Sequence, residues 1–530
     1  MDSTLMAHPR LPVGLFEEVI PKAAFAIFIL AVLLFGAAWL TLKHDEREPP
    51  LLLPRIPFVG HFIGMIRHQS TFLTVLSRRR RMPIATVPVL NGKIYAIFDG
   101  SLIQAAQTNK DLSFVPFVEE FARGELGFDA ATEKLILDNH VASKVFPANR
   151  TGTAPHHIHR MNANALAYVA QTLNAIGSDN ELVVPNIYLW VRDLMTMATS
   201  EALYGPKNPI ARDPSLIDDL WLFERHLPLF LFNASPHLTA RNAYRARERL
   251  QTALSKYYGN LEDGHQDAAA ITHHRAQICR ENGVQSPTVG VLEVSFLHVA
   301  TSNTIPTLFW FLSFIITRPQ LVSKLRDEAM PAIEYGPKEV IVKIHVLADQ
   351  CPLLVSCYRE TIRISNKTQS NRRVMADTTI TDGSGRTYLL KKGIDIQMPS
   401  DPLHTMEEVW GPDAAEFNPS RFLDNKDHDK ETVKKRRTSY IPFGGGKHLC
   451  PGRNFAFAEN LGFMVSFLLG YDVKPIDGNW AAFTPPKMEK CSLAAAVCKP
   501  RNDGDGFGIR VKRRAGWEAT VWRFVDSSKA

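Results

Sequence analysis

The stretch YIPFGGGKHLCPGRNFAFAE, residues 440–459, sets one cysteine between three consecutive glycines and the start of a helical pattern. Phe455, Ala458, Leu461, Val465 and Leu468 recur at helical spacing up to Gly470. Proline suits a first helical turn, where its missing N–H needs no partner, so the spacing predicts a helix opening at Pro451. A thiol just before it meets free backbone N–H groups and the positive end of the helix dipole, which favour a thiolate. Several chemistries could use such a cysteine. A phosphate loop needs a hydroxyl after its lysine, and Lys447 is followed by His448. An acyl-transfer nucleophile needs a base from elsewhere, and His448 is tied to the same loop. The 6 cysteines in 530 residues include no C-x-x-C pair, which argues against structural zinc. They are also too sparse for a disulfide framework and suit a reducing compartment. Axial ligation of a planar macrocycle uses more of the loop. Glycines 444–446 would give a flat, side-chain-poor surface, and Phe443 would shield the sulfur.

Apolar residues make up 45% of the chain and charged residues 22%, an ordinary globular balance that can bury a large core. The net charge is +7, with basic runs at 78–81 and 434–437. Nothing resembles a zinc finger or an RNA-binding sheet, so these runs read as solvated faces, a membrane surface or a site for an acidic protein, and nucleic acid is not expected. Residues 23–42 carry no charge, and at about 1.5 Å per residue they span roughly 30 Å, the thickness of a hydrocarbon core. The preceding head holds Asp2, Glu17 and Glu18, unlike the basic head of a cleaved signal, which argues for a retained anchor. The arginine run at 78–81 favours a cytosolic body. The expected organisation is a head over 1–22, a transmembrane anchor over 23–42, a proline-rich extended linker over 43–57, and a catalytic domain over 58–530. Within that domain, a β-rich segment surrounds a hairpin turn at Asn91-Gly92, and long helical patterns follow to about residue 370. A second β-rich patch turns at Gly383 and Gly385. The fold class is mainly α with small β-sheets, behind one N-terminal transmembrane helix.

Phe443, Gly446, Cys450 and Gly452 fit F-x-x-G-x-x-x-C-x-G, and here the chain resembles the cytochrome P-450 family over about residues 50–525. The resemblance implies the cytochrome P-450 fold, with Cys450 as the thiolate ligand of a haem b iron; thiolate ligation pushes electron density toward bound oxygen. Phe443, Gly446, His448 and Gly452 would complete the cofactor loop. His448 stands where the family usually has arginine, and it can still hydrogen-bond a propionate. Glu360 and Arg363 in ETIR, with Arg421 in EFNPSRF, resemble the family's structural network. Arg372 or Arg373 resembles the arginine that meets a propionate. The family's W-x-x-x-R is missing, since residues 135–165 hold no tryptophan, leaving Arg150, Arg160 and nearby histidines for the second anchor.

Residues 288–319 form a long helical pattern interrupted by Pro306, which cannot donate to the carbonyl of Ser302, so a bend and a polar groove are expected there. Where the family usually has an acid followed by threonine, this chain has Ser302, Asn303 and Thr304. SNTIPTLFWFL is similar to the bile-acid sterol hydroxylase and prostacyclin synthase branch. The resemblance implies proton delivery to bound oxygen by Asn303 and Thr304 with Ser302, although an asparagine cannot ionise. Residues 111–121 resemble the roof of the pocket, and the apolar run 220–238 suits contact with a bilayer. The implied function is monooxygenation of a lipophilic small molecule (a sterol, terpenoid, polyketide or prenylated intermediate of specialised metabolism). Electrons would come from a separate NADPH-cytochrome P-450 reductase, with cytochrome b5 as a further donor. The alternatives are a haem-thiolate isomerase or dehydratase that needs no external electrons, and a non-catalytic haem-binding membrane protein. The expected location is the endoplasmic reticulum, as a single-pass protein with its catalytic domain in the cytosol. The N-x-[ST] matches at Asn149, Asn233 and Asn366 would then face the cytosol, and most are expected to be unused.

Overall fold

The computed structural model describes residues 44–526 except 57–58, 91, 178–180, 338, 424–428, 490 and 492–494. The expected head and anchor, 1–42, lie outside these residues. Mainly helical, with small sheets at its margins, the fold has the expected class. Helices α1 (Gly100–Thr108), α2 (Val115–Leu126), α3 (Val141–Gly152), α4 (Pro155–Asn174), α5 (Ile187–Tyr204), α6 (Leu216–Leu231) and α7 (Arg241–Gly259) precede the central pair, α8 (Ser286–Thr301) and α9 (Thr304–Ile316). Helices α10 (Pro352–Ser365) and α11 (Arg453–Gly470) then close the core. Among the described residues, Ser286–Ile316 is the one helical stretch long and apolar enough to cross a membrane, yet its apolar window is 83% buried. It is therefore a core element, hydrophobic all round because it is surrounded by other helices. Gly290 brings α8 into backbone contact with α7, since a Cβ there would lie 2.3 Å from the nitrogen of Ser255.

The central helix breaks where the sequence predicts. Pro306 has no N–H to return to Ser302, and the two helical segments meet at Ser302 and Asn303, where Asn303 has φ −109° and ψ −37°. Helical bonding resumes at Asn303, whose carbonyl accepts from the N–H of Thr307 at 3.2 Å and from its hydroxyl at 2.8 Å.

The largest sheet has strand order β1 (Ile84–Val89), β2 (Gly92–Ile97), β7 (Asp395–Pro399), β4 (Gln369–Val374), β3 (Leu112–Ser113). The first two strands form the expected hairpin, Val89 opposite Gly92, while Asn91 itself lies outside the described residues. Strands β5 (Thr378–Thr381) and β6 (Thr387–Leu390) form the second, turning through Gly385 at φ +87°. One expectation changes. The proline-rich segment is docked along β1 and is no free spacer: Leu52 N–H donates to Thr86 at 2.8 Å, and Thr86 N–H donates to Pro50 at 2.8 Å. Glu48 is buried and accepts from Tyr95 at 2.6 Å and Lys93 at 2.9 Å. Prolines permit this edge pairing because the bonds fall on residues and carbonyls that need no proline N–H.

Helix α11 carries a fully buried acid, Glu459. Thr199 of α5 donates to Oε1 at 2.9 Å, and Oε2 has no partner. Burial pushes this carboxyl up to about 8. The unfolded chain ionises near the ordinary value while the folded chain does not, so stability falls as pH rises between the ordinary glutamate range and about 8, by at most about 1.4 kcal/mol per pH unit. Glu459→Gln should remove that slope. Denaturant midpoints of the two proteins, compared from pH 5 to 8, should diverge with rising pH in favour of the variant; a constant gap would contradict the assignment.

Candidate active site

The cysteine loop is held from both ends. Cys450 N–H donates to the carbonyl of Phe443 at 3.0 Å, and residues Gly446–His448 form a 3-10 turn between them. Helix α11 opens at Arg453 with Gly452 as its N-cap, so the start expected at Pro451 moves on, and Pro451 and Gly452 form a turn. The N–H groups of Gly452 and Arg453 and the charge of Arg453 favour a thiolate, but burial outweighs them and pushes the Cys450 thiol up. A metal cation at the sulfur is what would ionise it.

The glycines have a different reason from the one expected. A Cβ at Gly445 would lie 1.9 Å from Gln107 Oε1, and one at Gly446 would lie 2.1 Å from the Gln107 carbonyl. These two glycines let the loop pack on the end of α1. Gly444, at φ +68° with nothing nearer than 3.7 Å to its Cβ position, is the one with open space.

Beside the loop, buried polar groups stand without protein partners. The His448 ring lies between Phe114 and Phe146, at centroid distances of 5.8 and 5.3 Å, and neither ring nitrogen is hydrogen-bonded. Burial, then the charges of Arg372, Lys447 and Arg150, press its pKa down to about 4. Arg372 is buried, reaches only the carbonyls of Asn371 at 2.7 Å and Gly445 at 3.4 Å, and is lowered to about 10 by burial. Arg373 points the other way, pairing with Asp395 at 2.7 Å and with Glu120. Of the two expected arginines, Arg372 faces the loop. Arg160 is paired with Asp267 at 2.7 Å, whereas Arg150 donates to the carbonyl of Lys447. Phe146 and Arg150 stand at i and i+4 on α3, and both touch this loop. They form an F-x-x-x-R beside the cysteine loop, in the region where the chain has no W-x-x-x-R. A buried guanidinium and an imidazole with unmatched nitrogens, beside the Cys450 thiol, fit a haem with its two carboxylates. Cys450 would hold the iron, and Arg372, His448 and Arg150 would hold the propionates.

A buried network braces the loop from behind. Glu360 accepts from Arg363 Nε at 2.7 Å and Nη2 at 2.8 Å, and from Arg421 Nε at 2.8 Å, and the Glu360 and Arg363 side chains are fully buried. Arg363 also reaches the carbonyl of Ala414 at 2.7 Å. The structure thus brings Glu360, Arg363 and Arg421 together as a structural unit that does not enter the cavity.

On the distal side, Val299 is 55% exposed in the middle of a core helix, on the same face as Asn303 four residues on. The expected proton-delivery set is divided. Thr304 accepts from Asn460 Nδ2 at 2.9 Å and so faces α11. Ser302 is buried. Asn303 alone shares the Val299 face, and its Oδ1 accepts from the N–H groups of Ala496 at 3.1 Å and Val497 at 3.2 Å. Helix α2, which begins inside the segment 111–121, borders a mainly apolar cavity that runs between α2, α3 and α8, lined by Val118, Ala122, Val145, Phe146 and Leu292. Glu119 also lines it, and burial raises its carboxyl.

A charged hydrogen bond to a buried carboxylate contributes about 1.5–3 kcal/mol. Arg372→Leu should therefore speed haem loss to an apomyoglobin acceptor by about tenfold or more, while Arg373→Leu should change it little. Equal rates for the two variants would contradict the placement.

Comparison with known proteins agrees with this geometry. The cytochrome P-450 family model matches residues 225–496. A cytochrome P-450 monooxygenase of Gibberella zeae is 45% identical over 91% of this chain and 92% of its own length. The cytochrome P-450 monooxygenase nodJ of Hypoxylon pulicicidum is 25% identical over 93% of this chain and 95% of its own. A 5-beta-cholestane-3-alpha,7-alpha-diol 12-alpha-hydroxylase of Sus scrofa is 25% identical over 82% of this chain and 88% of its own. The family binds haem through a cysteine thiolate. With the cysteine loop, the buried Glu360 network and near-full-length similarity all in agreement, the chain belongs to the cytochrome P-450 monooxygenases.

Proposed function

We propose that this enzyme inserts an oxygen atom into a lipophilic small molecule of specialised metabolism, a terpenoid, sterol, polyketide or prenylated intermediate. The observation that carries the substrate class is the apolar face at Val299 together with the cavity lined by Val118, Val145, Phe146 and Leu292. Such mainly apolar walls reward desolvation of a greasy molecule, and Glu119, Arg123 and Asn149 at the same cavity offer polar handles for a hydroxyl or carbonyl. When bound, haem supplies dioxygen activation and transfer of one oxygen atom. Cys450 would hold the iron, Arg372, His448 and Arg150 would hold the carboxylates, and the apolar side chains of Val118, Val145, Phe146 and Leu292 would limit water around a bound substrate.

Membrane attachment and a separate NADPH reductase complete the reading. Exposed Leu53, Ile56, Ile63 and Ile66 follow closely on the apolar span 23–42, and Phe232 and Leu238 are also exposed, which suits a domain resting on the endoplasmic reticulum surface. Exposed Lys434, Lys435, Arg437 and Lys447 near the cysteine loop suit an acidic flavoprotein, with cytochrome b5 as a further donor. One observation favours a second reading, an isomerase or dehydratase independent of external electrons. Neither Asn303 nor Thr304 can ionise, and both are already hydrogen-bonded. A non-catalytic haem-binding role would show neither activity.

The test is turnover of a panel of terpenoids, sterols and polyketides by the full-length protein in reductase-containing microsomes. Product gaining one oxygen atom, and requiring NADPH, is expected. Conversion of a lipid peroxide or alcohol without NADPH would overturn this reading in favour of the isomerase, and no conversion at all would favour the non-catalytic role.

A further inference from the structure

Asn303 carries more than the helix break requires. Its backbone carbonyl is already satisfied by Thr307, yet its side-chain oxygen takes two further donors, the N–H groups of Ala496 and Val497. An amide nitrogen could not accept either bond, so these two donors fix which way the amide lies. The –NH2 must point away from them.

The segment it grips is strapped on every side. The carbonyl of Ala496 accepts from Lys367 N–H at 2.7 Å, and Val497 pairs with Asn366 as an isolated bridge. Cys498 N–H donates to Ser365 at 2.9 Å, and the Cys498 carbonyl accepts from Trp310 Nε1 at 2.6 Å. Beyond it, Lys499 pairs with Glu224 of α6 and lies 4.9 Å over the Trp221 ring, and Arg225 pairs with Asp503. Segment 496–503 therefore runs from the break in the distal helix to the underside of α6. Asn303 is the contact at the end nearest the Val299 face.

We propose that Asn303 is a positioning residue that sets where the substrate lies: by holding Ala496 and Val497 it fixes the height of segment 496–498 against the distal groove. This deepens the monooxygenase reading and rests on it for the word substrate, though the clamp itself does not depend on turnover. The side-chain oxygen is the working atom. An aspartate at 303 keeps two acceptors for the same N–H groups, a leucine of similar size keeps none, and a serine is too short to reach both.

The experiment is amide hydrogen exchange at Ala496 and Val497 in the haem-loaded full chain, for the natural protein and for Asn303→Asp, Asn303→Leu and Asn303→Ser. Each variant is also titrated optically with 4-phenylimidazole as a bulky probe of the distal cavity. Loss of the two hydrogen bonds predicts exchange faster by about tenfold or more in the leucine and serine variants. Their affinity for the probe should shift as well. The aspartate variant should restore both protection and affinity toward natural values. Should leucine fail to fold, serine carries the same expectation. Unchanged exchange in leucine and serine would overturn the clamp, and faster exchange with unchanged probe affinity would overturn its positioning of the substrate. So would an aspartate variant that exchanges as fast as they do. A protein with the predicted exchange pattern but no monooxygenase products would keep the clamp and lose the functional reading.

Discussion

The carboxylate of Glu360 is removed from water and shared by two guanidiniums, and much of the haem side of the molecule hangs on it. Removing one partner of such a buried group costs about 3–5 kcal/mol, because a charge is left without solvent or counter-ion. Arg363 spends its remaining donors on carbonyls of the segment around 404–416, and Arg421 pairs with Asp413 at 2.9 Å. That segment carries His404, whose Nε2 accepts from the N–H of Ile441 at 3.2 Å, two residues before Phe443 and the cysteine loop. Asn366, just past α10, donates to the carbonyl of Pro442 at 3.3 Å. The loop that presents Cys450 is thus positioned by a chain of buried polar contacts, and its own glycines contribute by letting it close onto α1.

The distal side depends on a missing hydrogen bond. Pro306 leaves the Ser302 carbonyl without a helical partner, the helix opens, and Asn303 turns onto the Val299 face. In that position its oxygen is close enough to collect the two N–H groups of segment 496–497. The same break separates Asn303 from Thr304, which is drawn toward Asn460. A relay built from adjacent residues would need both on one side, and the local geometry does not provide that.

The parts legible in the sequence were those fixed by covalent chemistry or by short-range spacing. Cys450, the i, i+3 pair Glu360 and Arg363, and the break at Pro306 all follow from rules that act within a few residues. The parts that were not legible depend on distant partners. Arg372 and Arg373 are neighbours in a strand, so they point to opposite faces, and only the surroundings decide which one meets the cysteine loop. The glycines at 445 and 446 answer to Gln107, which is far away in sequence. The proline-rich segment becomes part of the domain through Thr86 and Tyr95, which its composition could not reveal. Phe146 and Arg150 had a readable signal, the i, i+4 spacing on α3, but it was masked by the expectation of a tryptophan.

The central claim is that Cys450, raised as a free thiol by burial, is the thiolate ligand of a haem iron. The absorption spectrum of the reduced, carbon-monoxide-bound full-length protein tests it most directly. The account predicts a strongly red-shifted Soret band that is lost in Cys450→Ala and kept in Cys351→Ala. A folded, haem-loaded protein without that band, or a Cys450→Ala variant that retains it, would contradict the account.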